Sequence, residues 1–340
     1  TGKGSDAIRG GGGSYSNVEG LVDIIISNNA DITGNIYGGA RNNGAYVGKS
    51  SISIRGGTIK GNIFSGGSEG ETTVKGDSNI YFSNASLTGN IYGGGNGGTI
   101  EGKSNIYLDS GVVGGSVYGS GIGDKVVGTS SVSLRGGTVN GNIYGAGDGS
   151  TVGGANVSIS AGTLNGDIYA AGENSTVSGN VSVIFSGDGA APTVSGVIHG
   201  GKEAGSNSTV SGSSTLQFYR GMSGLRVDGF DTFSGVGDTV IDNLYVDMLQ
   251  GSSIQGNFTF IAKMNNVEGN NTSVVWGGNV VFKDSEFIGN TYKNGTGLGG
   301  IFTDWANDPA STFVTFSGTS VKDNYIENNY VQGGFFYGLS

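Results

Sequence analysis

One short motif occurs seven times in the chain, and this repetition restricts the possible folds more than any other feature. Each copy places an aromatic ring in the same slot, with His in the last copy; the copies are GNIYGGA from Gly34, GNIFSGG from Gly61, GNIYGGG from Gly89, GSVYGSG from Gly115, GNIYGAG from Gly141, GDIYAAG from Gly166 and GVIHGG from Gly196. Their starts lie 27, 28, 26, 26, 25 and 30 residues apart. A period of this length predicts a repeat architecture.

The residues between the motifs favour strands and tight turns. Among 340 residues there are 71 glycines but only 2 prolines, and glycine is not at every third position, which excludes collagen. Val, Ile, Tyr and Phe stand among Ser, Thr, Asn and Gly, a composition typical of short strands and turns. The chain has no cysteine, which excludes disulfides and cysteine zinc sites.

Strand alternation divides each repeat into an inner and an outer side. With Ile59 inside, Gly61 and Ile63 also face inward, whereas Asn62 and Phe64 face outward. Pairs at Ile52 and Ile54, Ile80 and Phe82, Ile106 and Leu108, Val132 and Leu134, and Val157 and Ile159 form further inward columns. A last inward column is predicted at Val74, Ile100, Val127, Val152 and Val177.

A repeat of this size cannot bury its own apolar side and must stack on the next. We therefore predict an all-β fold, a right-handed parallel β-helix (β-solenoid) in which each repeat of about 26 residues is one turn, or rung, stacked at about 4.8 Å. Leucine-rich repeats have this length, but their leucine frame is missing. Residues 1–212 form the regular β-helix; residues 213–340 continue it as one rod with irregular coils and longer loops. In that region Val281 to Phe302 aligns on Thr315 to Phe336 at an offset of 34 residues.

Three short stretches carry a family resemblance. DGFDTFSG, from Asp228, resembles a phrase of bacterial autotransporter (type V secretion) passenger domains, and FIGN (Phe287 to Asn290) with GGIF (Gly299 to Phe302) resembles the paired motifs of polymorphic membrane proteins. The second C-terminal copy departs from that pattern, with VKDN from Val321. The resemblance implies a secreted adhesin or self-association factor on the bacterial surface, anchored in the outer membrane through a translocator missing from this sequence.

The aromatic slots predict the binding site. On the alternation above they face outward beside amides, so we expect an exposed face that contacts host or bacterial surface glycans or proteins, or a second copy of the chain. Its candidate residues are Tyr37, Phe64, Tyr92, Tyr118, Tyr144 and Tyr169 with Asn62, Asn90 and Asn142. Stacking of the rings on one another is the structural alternative, at about 0.2–1 kcal/mol per pair, and it is compatible with binding. Trp305, in a long loop, is a further candidate.

The sequence gives little support for a catalytic site, a metal site or a bound cofactor. The single histidine, His199, occupies an aromatic slot, and the acids and amides after each motif are interpreted as solvated corners rather than Ca²⁺ ligands; they are Glu69, Glu71, Asn96, Asp124, Asp148, Glu173 and Glu203. Letter matches to a nucleophile elbow at Gly66 and a phosphate loop at Gly97 lack the helix each requires. The alternative is a polysaccharide lyase or glycoside hydrolase, with carboxylates from Asp228, Asp231, Asp238, Asp242 and Asp247.

Net charge and hydropathy limit the classes of partner that the chain is expected to bind. The net charge of −10 without a basic cluster excludes nucleic acid as the expected partner. No run of 18 apolar residues occurs, so this part of the protein is not expected to insert directly into a membrane. The chain ends within its strand pattern, which favours a fragment of a longer protein.

Overall fold

A computed structural model describes most of the chain. The described residues are 6–13, 15–42, 44–68, 70–203, 206–246, 252–265, 268–270, 274–288, 291–293, 302–303, 312–323, 325–327 and 336–337. Every regular element among them is a β-strand, and the strands stack in parallel as a β-solenoid of about 8 turns with a spacing near 26 residues. The prediction of an all-β parallel solenoid is confirmed.

The chain divides into two compact units. The first unit comprises Thr1–Val183, Gly189–Gly196 and Gly205–Ser213, and the second comprises Ile184–Asp188, Val197–Ala204 and Ser214–Ser340. Each unit is built from parallel strands.

Three parallel sheets form the first unit. The ring sheet carries the repeated motif: Asp6–Arg9, Asn35–Tyr37, Ile63–Phe64, Ile91–Tyr92, Val117–Tyr118, Ile143–Tyr144 and Ile168–Tyr169. The long sheet consists of Val18–Ile26, Tyr46–Ile54, Thr73–Val74, Ser78–Phe82, Thr99–Ile100, Ser104–Leu108, Lys125–Leu134, Thr151–Ile159, Thr176–Val177, Thr209–Val210 and the part of Val181–Phe185 up to residue 183. The third sheet consists of Asp31–Thr33, Gly57–Lys60, Ala85–Leu87, Val112–Val113, Thr138–Val139, Thr163–Leu164 and Thr193–Val194.

The parallel register explains why one residue type recurs at each core position. Ile91 pairs with Ile63 on one side and with Val117 on the other, so equivalent residues of successive rungs lie in contact. The predicted inward columns are buried in this way, including Ile52, Ile80, Ile106, Val132 and Val157 in the long sheet. Burial of such side chains contributes about 1.5–3 kcal/mol each, which makes these columns the main stabilising feature of the unit.

The prediction for one core column is wrong at a single position. Ile100 pairs with Val126, which is 1% exposed, whereas Val127 is 53% exposed. The prediction of Val127 as an inward residue is therefore wrong. Two adjacent valines satisfy alternation equally well, and the register between this strand and the next shifts after Val126.

A glycine follows most of the rings, and close packing between rungs requires it at Gly93. A side chain at Gly93 would overlap the hydroxyl of Ser104 and the carbonyl oxygen of Gly119. The Ser104 hydroxyl is fully buried and lies 2.6 Å from both the Gly93 and Gly119 carbonyl oxygens. A buried polar group must find such partners, so this serine and this glycine depend on each other.

The second unit also consists of parallel strands. They are Val197–His199, Ser214–Phe218, Met222–Ser223, Arg226–Asp228, Thr232–Val246, Ser252–Asn265, Glu268–Asn270, Val274–Lys283, Glu286–Ile288, Thr291–Lys293, Phe302–Thr303, Thr312–Ser317, Ser320–Lys322, Tyr325–Glu327 and Phe336–Tyr337. The predicted repeat at offset 34 is confirmed by strand register, since Phe282 pairs with Phe316 and Phe302 pairs with Phe336. The Phe282 and Phe316 rings stack with centroids 5.3 Å apart.

Candidate functional site

The six rings of the repeated motif form one continuous stack in the first unit. This ring column consists of Tyr37, Phe64, Tyr92, Tyr118, Tyr144 and Tyr169. Parallel register places each ring directly over the previous one, for example Tyr92 over Tyr118. Neighbouring centroids lie 4.5–4.8 Å apart, with interplanar angles of 3–11°. The spacing of the rungs therefore sets the spacing of the rings.

The prediction that the ring column is exposed is wrong. Tyr37, Phe64, Tyr92, Tyr118 and Tyr144 are only 3–9% exposed, and Tyr169 is half-buried. Each ring points away from the neighbouring core isoleucine or valine, as alternation requires, but the rings above and below cover its faces. Ile122, from a corner that follows the motif, packs against the column as well. The column is a second buried layer outside the main core.

The amides beside the rings are used within the fold. The side-chain oxygen of Asn62 accepts a hydrogen bond from the Asn90 backbone N–H (2.8 Å), and the Asn90 oxygen accepts one from Ser116 N–H (2.8 Å). The side-chain N–H groups of Asn90 and Asn142 donate to the hydroxyls of Tyr92 (3.1 Å) and Tyr144 (3.0 Å). The bonds to the side-chain oxygens join successive rungs, and those to the tyrosine hydroxyls lie within one rung, so the predicted binding amides act as an internal amide ladder.

Burial also fixes the protonation state of the ring hydroxyls. It raises the pKa of Tyr92, Tyr118 and Tyr144 above the usual value for tyrosine, with nearby acids such as Glu173 adding to the effect. The Tyr118 hydroxyl donates to the Glu173 carboxylate at 3.3 Å. These tyrosines therefore remain neutral hydrogen-bonding groups.

An exposed aromatic face does exist, on the long sheet. Tyr81 is 42% exposed, and its ring stacks on that of Tyr107 with centroids 5.1 Å apart. In the next column of the same sheet, the Asn105 side-chain N–H donates to the Asn79 oxygen at 3.0 Å. The Arg135 guanidinium covers the other side of Tyr107, 4.3 Å from the ring centroid. We call these five residues the outer face.

On the side away from Tyr107, the outward column of Tyr81 continues with Ser53 and then Ile25. Ser53 is 7% exposed, whereas Ile25 is 57% exposed, so Ile25 extends the exposed apolar surface beside Tyr81. The outer face thus combines a rigid ring surface with two adjacent amides. Motif reasoning missed it because the ring occurs in two rungs only, in SNIYF and SNIYL. The signal was present, since burial of Ile80 and Phe82 requires Tyr81 to point outward.

The corner acids fall into two different columns. Asn96, Ile122, Asp148 and Glu173 pair with one another in successive rungs, and Asn96 and Glu173 are exposed. Asp124 belongs instead to the column of Ser150 and Ser175, and it is 4% exposed. The interpretation of Asp124 as a solvated corner acid is wrong. Glu69 lies outside the described residues.

The remaining candidates belong to the second unit. Asp228 lies 2.7 Å from His199 Nδ1, and Asp231 pairs with Lys202 and accepts a hydrogen bond from Ser214 N–H (2.8 Å). The side chains of Asp238 and Asp242, together with all of Asp247 and Trp305, lie outside the described part of the chain. The predicted carboxylates are therefore placed for two of the five positions.

Comparison with protein-family models, with curated proteins and with solved structures finds no match to this chain. Among the described residues there is no helix long and apolar enough to cross a membrane.

Proposed function

We propose that this chain is a non-catalytic binding protein that holds carbohydrate against the outer face. The observation that carries the proposal is the Tyr81 ring, which is exposed, stacked against Tyr107 and adjacent to Ser53 on its other side. A sugar ring has apolar C–H faces and polar edges, so it fits a surface in which an aromatic plane adjoins amide groups.

The rigidity of the outer face favours binding. Tyr81 is held by its stacking partner and by a strand paired on both sides, so little side-chain freedom is lost when a ligand packs on it. The bond between Asn105 and Asn79 leaves the Asn79 amino group and the Asn105 carbonyl oxygen available within the described structure. These groups supply one donor and one acceptor beside the ring.

Surface display is the second part of the proposal. The resemblance of the chain to autotransporter passengers supports a protein that is secreted and held at the bacterial surface. A β-solenoid suits that role because its stacked, paired strands form a rigid scaffold that holds a binding surface away from the cell.

Retention on immobilised pectin, mucin and glycosaminoglycans tests the proposal. We expect the unchanged protein to bind at least one of them and Tyr81→Ala to bind it about fivefold more weakly, because one aromatic contact is worth about 1 kcal/mol. Tyr219→Ala is the matched control, since Tyr219 is 54% exposed but belongs to the second unit. Equal retention of the two variants would contradict the assignment to the outer face.

The same samples separate the other functions. New reducing ends or unsaturated products released from the polysaccharide would favour the enzyme. Sedimentation that shows an oligomer of the unchanged protein, dissociated by Tyr81→Ala without any carbohydrate, would instead assign the outer face to self-association.

A further inference from the structure

Three potential metal ligands converge at one place in the second unit. The donor atoms of His199, Glu203 and Asp228 all lie within 4.8 Å of one another, and each residue is partly buried. One of these separations, 2.7 Å, joins His199 Nδ1 to an Asp228 carboxylate oxygen. His199 is the only histidine of the chain, and it occupies the slot that holds Tyr or Phe in the six preceding motifs.

Two local features bring these side chains together. Strand Val197–His199 pairs in parallel with Arg226–Asp228, and this register places Asp228 directly beside His199. The corner that follows His199 places the Glu203 carboxylate near His199 and Asp228. This carboxylate accepts a hydrogen bond from Gly201 N–H at 2.7 Å.

Gly229 completes the arrangement. Its backbone φ of +75° is one that residues other than glycine rarely adopt, and a Cβ at this position would overlap the Glu203 carboxylate. Glu203 is thus held both by a backbone donor and by a neighbouring glycine. The carboxylate occupies a shaped position rather than a solvated corner.

We propose that His199, Glu203 and Asp228 bind a divalent zinc-like ion. Imidazole nitrogen with two carboxylates is a donor set that suits Zn²⁺ and similar first-row ions, whereas Ca²⁺ and Mg²⁺ prefer oxygen ligands. The two carboxylates balance the charge of the ion when the imidazole is neutral. Three protein ligands leave further coordination positions for water or an incoming ligand.

The geometry needs only a modest adjustment. Ligands bound to Zn²⁺ at about 2.1 Å in a tetrahedron lie about 3.4 Å apart. The present separations range from 2.7 Å between His199 and Asp228 to at most 4.8 Å within the set. The His199–Asp228 pair must open slightly, and side-chain rotation can bring in the more distant donor.

The single histidine makes a direct test possible. The protein, carrying no histidine tag, is titrated with Zn²⁺ at neutral pH while the ring resonances of His199 are followed by NMR. We expect a shift that saturates at one ion per chain, with the long-range ¹⁵N spectrum showing metal on a ring nitrogen. Titration with Co²⁺ should give a visible absorption band with the same stoichiometry. No change in the histidine resonances would overturn the proposal.

Variants show whether all three residues take part. His199→Tyr restores the residue of the other motifs and should fold while losing the Co²⁺ band. Glu203→Gln should lower Zn²⁺ affinity about tenfold or more, because even a change outside the ligand set costs that much at metal sites. Asp188→Asn, an exposed acid of the same unit, should change nothing. Unchanged affinity in Glu203→Gln would show that the ion binds elsewhere.

Discussion

Asp124 makes the stability of the first unit depend on pH, and replacement by serine should remove that dependence. The next two rungs have Ser150 and Ser175 in its column, each accepting one backbone N–H from its own rung at 2.9 Å. Asp124 is longer and accepts two, from Gly121 (3.0 Å) and from Gly95 of the adjacent rung (3.2 Å). Asp124→Ser therefore reproduces a side chain that the architecture already accommodates.

The size of this pH-dependent stability change follows from the burial of the Asp124 carboxyl group. Burial raises the pKa of Asp124 from 3.8 to about 6, although hydrogen bonds from Gly121 and Gly95 oppose the shift. The folded pKa lies above the unfolded one, so the stabilising contribution is fully present below pH 3.8 and is lost as the pH rises through about 6. The complete change is about 3 kcal/mol, of which roughly 1.5 kcal/mol falls between about pH 5 and about pH 7.5.

Urea unfolding followed by the β-sheet circular dichroism signal measures this effect. The difference in unfolding free energy between the unchanged protein and Asp124→Ser should decrease by roughly 1.5 kcal/mol from about pH 5 to about pH 7.5, a range above the isoelectric point of ≈ 4.5. Asp124→Ser should also lose about 1–3 kcal/mol at every pH, because Gly95 N–H loses its acceptor. Ser150→Ala is the control, with a loss independent of pH. A constant difference between the unchanged protein and Asp124→Ser would refute the reasoning.

Two further predictions concern side-chain packing in the first unit. Gly94→Ala should destabilise the protein by about 1–3 kcal/mol, because a Cβ there overlaps both the Asp124 carboxylate and the Gly121 backbone nitrogen, and the double variant with Asp124→Ser should recover only the part of the loss that is due to the carboxylate in urea unfolding. Tyr118→Ala should lower the unfolding free energy by about 3–5 kcal/mol and leave carbohydrate retention unchanged. Tyr81→Ala should weaken carbohydrate retention and leave the unfolding free energy nearly unchanged. Equal loss of stability in the two variants would contradict the difference in burial between Tyr118 and Tyr81.

Most of the core was predictable from backbone geometry, with Val127 as the exception. Strand alternation and a fixed period identify which residue types stack, and Ile63, Ile91 and Val117 accordingly form one buried column. The offset of 34 residues near the C-terminal end was predictable for the same reason. Equal spacing in sequence becomes pairing in a parallel sheet whenever the intervening loops have equal length.

The exposure of the rings was not predictable from alternation. The period of two gives the direction of a side chain but says nothing about what covers it. Ring faces are covered by the neighbouring rungs, and Ile122 adds cover from a corner whose path depends on glycines with positive φ, such as Gly123 at +58°. The sequence contains these glycines, but the direction in which they turn the chain depends on tertiary packing.

Corner residues were misaligned because they were grouped by their acidic or amide character. Asp124 follows Gly115, the first residue of its motif, by 9 residues, whereas Asp148 follows Gly141 by 7, so an exact count, like strand pairing, matches Asp148 with Ile122. Acidic character suggested a common role, while backbone register shows that Asp124 replaces a serine. The convergence of His199 with Asp228 was equally hidden, because it needs the register of two strands separated by 29 residues.

The amide ladder has a direction, and this has an evolutionary consequence. Each side-chain oxygen accepts from the backbone of the following rung, as Asn90 does from Ser116 and Ser116 does from Asn142, at separations of 26 residues in both cases. Removing residues 115–140 would therefore join Asn90 to Asn142 through the same kind of bond. Gene duplication or loss in units of one whole turn preserves the bonds of this ladder, whereas insertions of partial turns do not. Lineages can change the length of such a protein without inventing new interfaces.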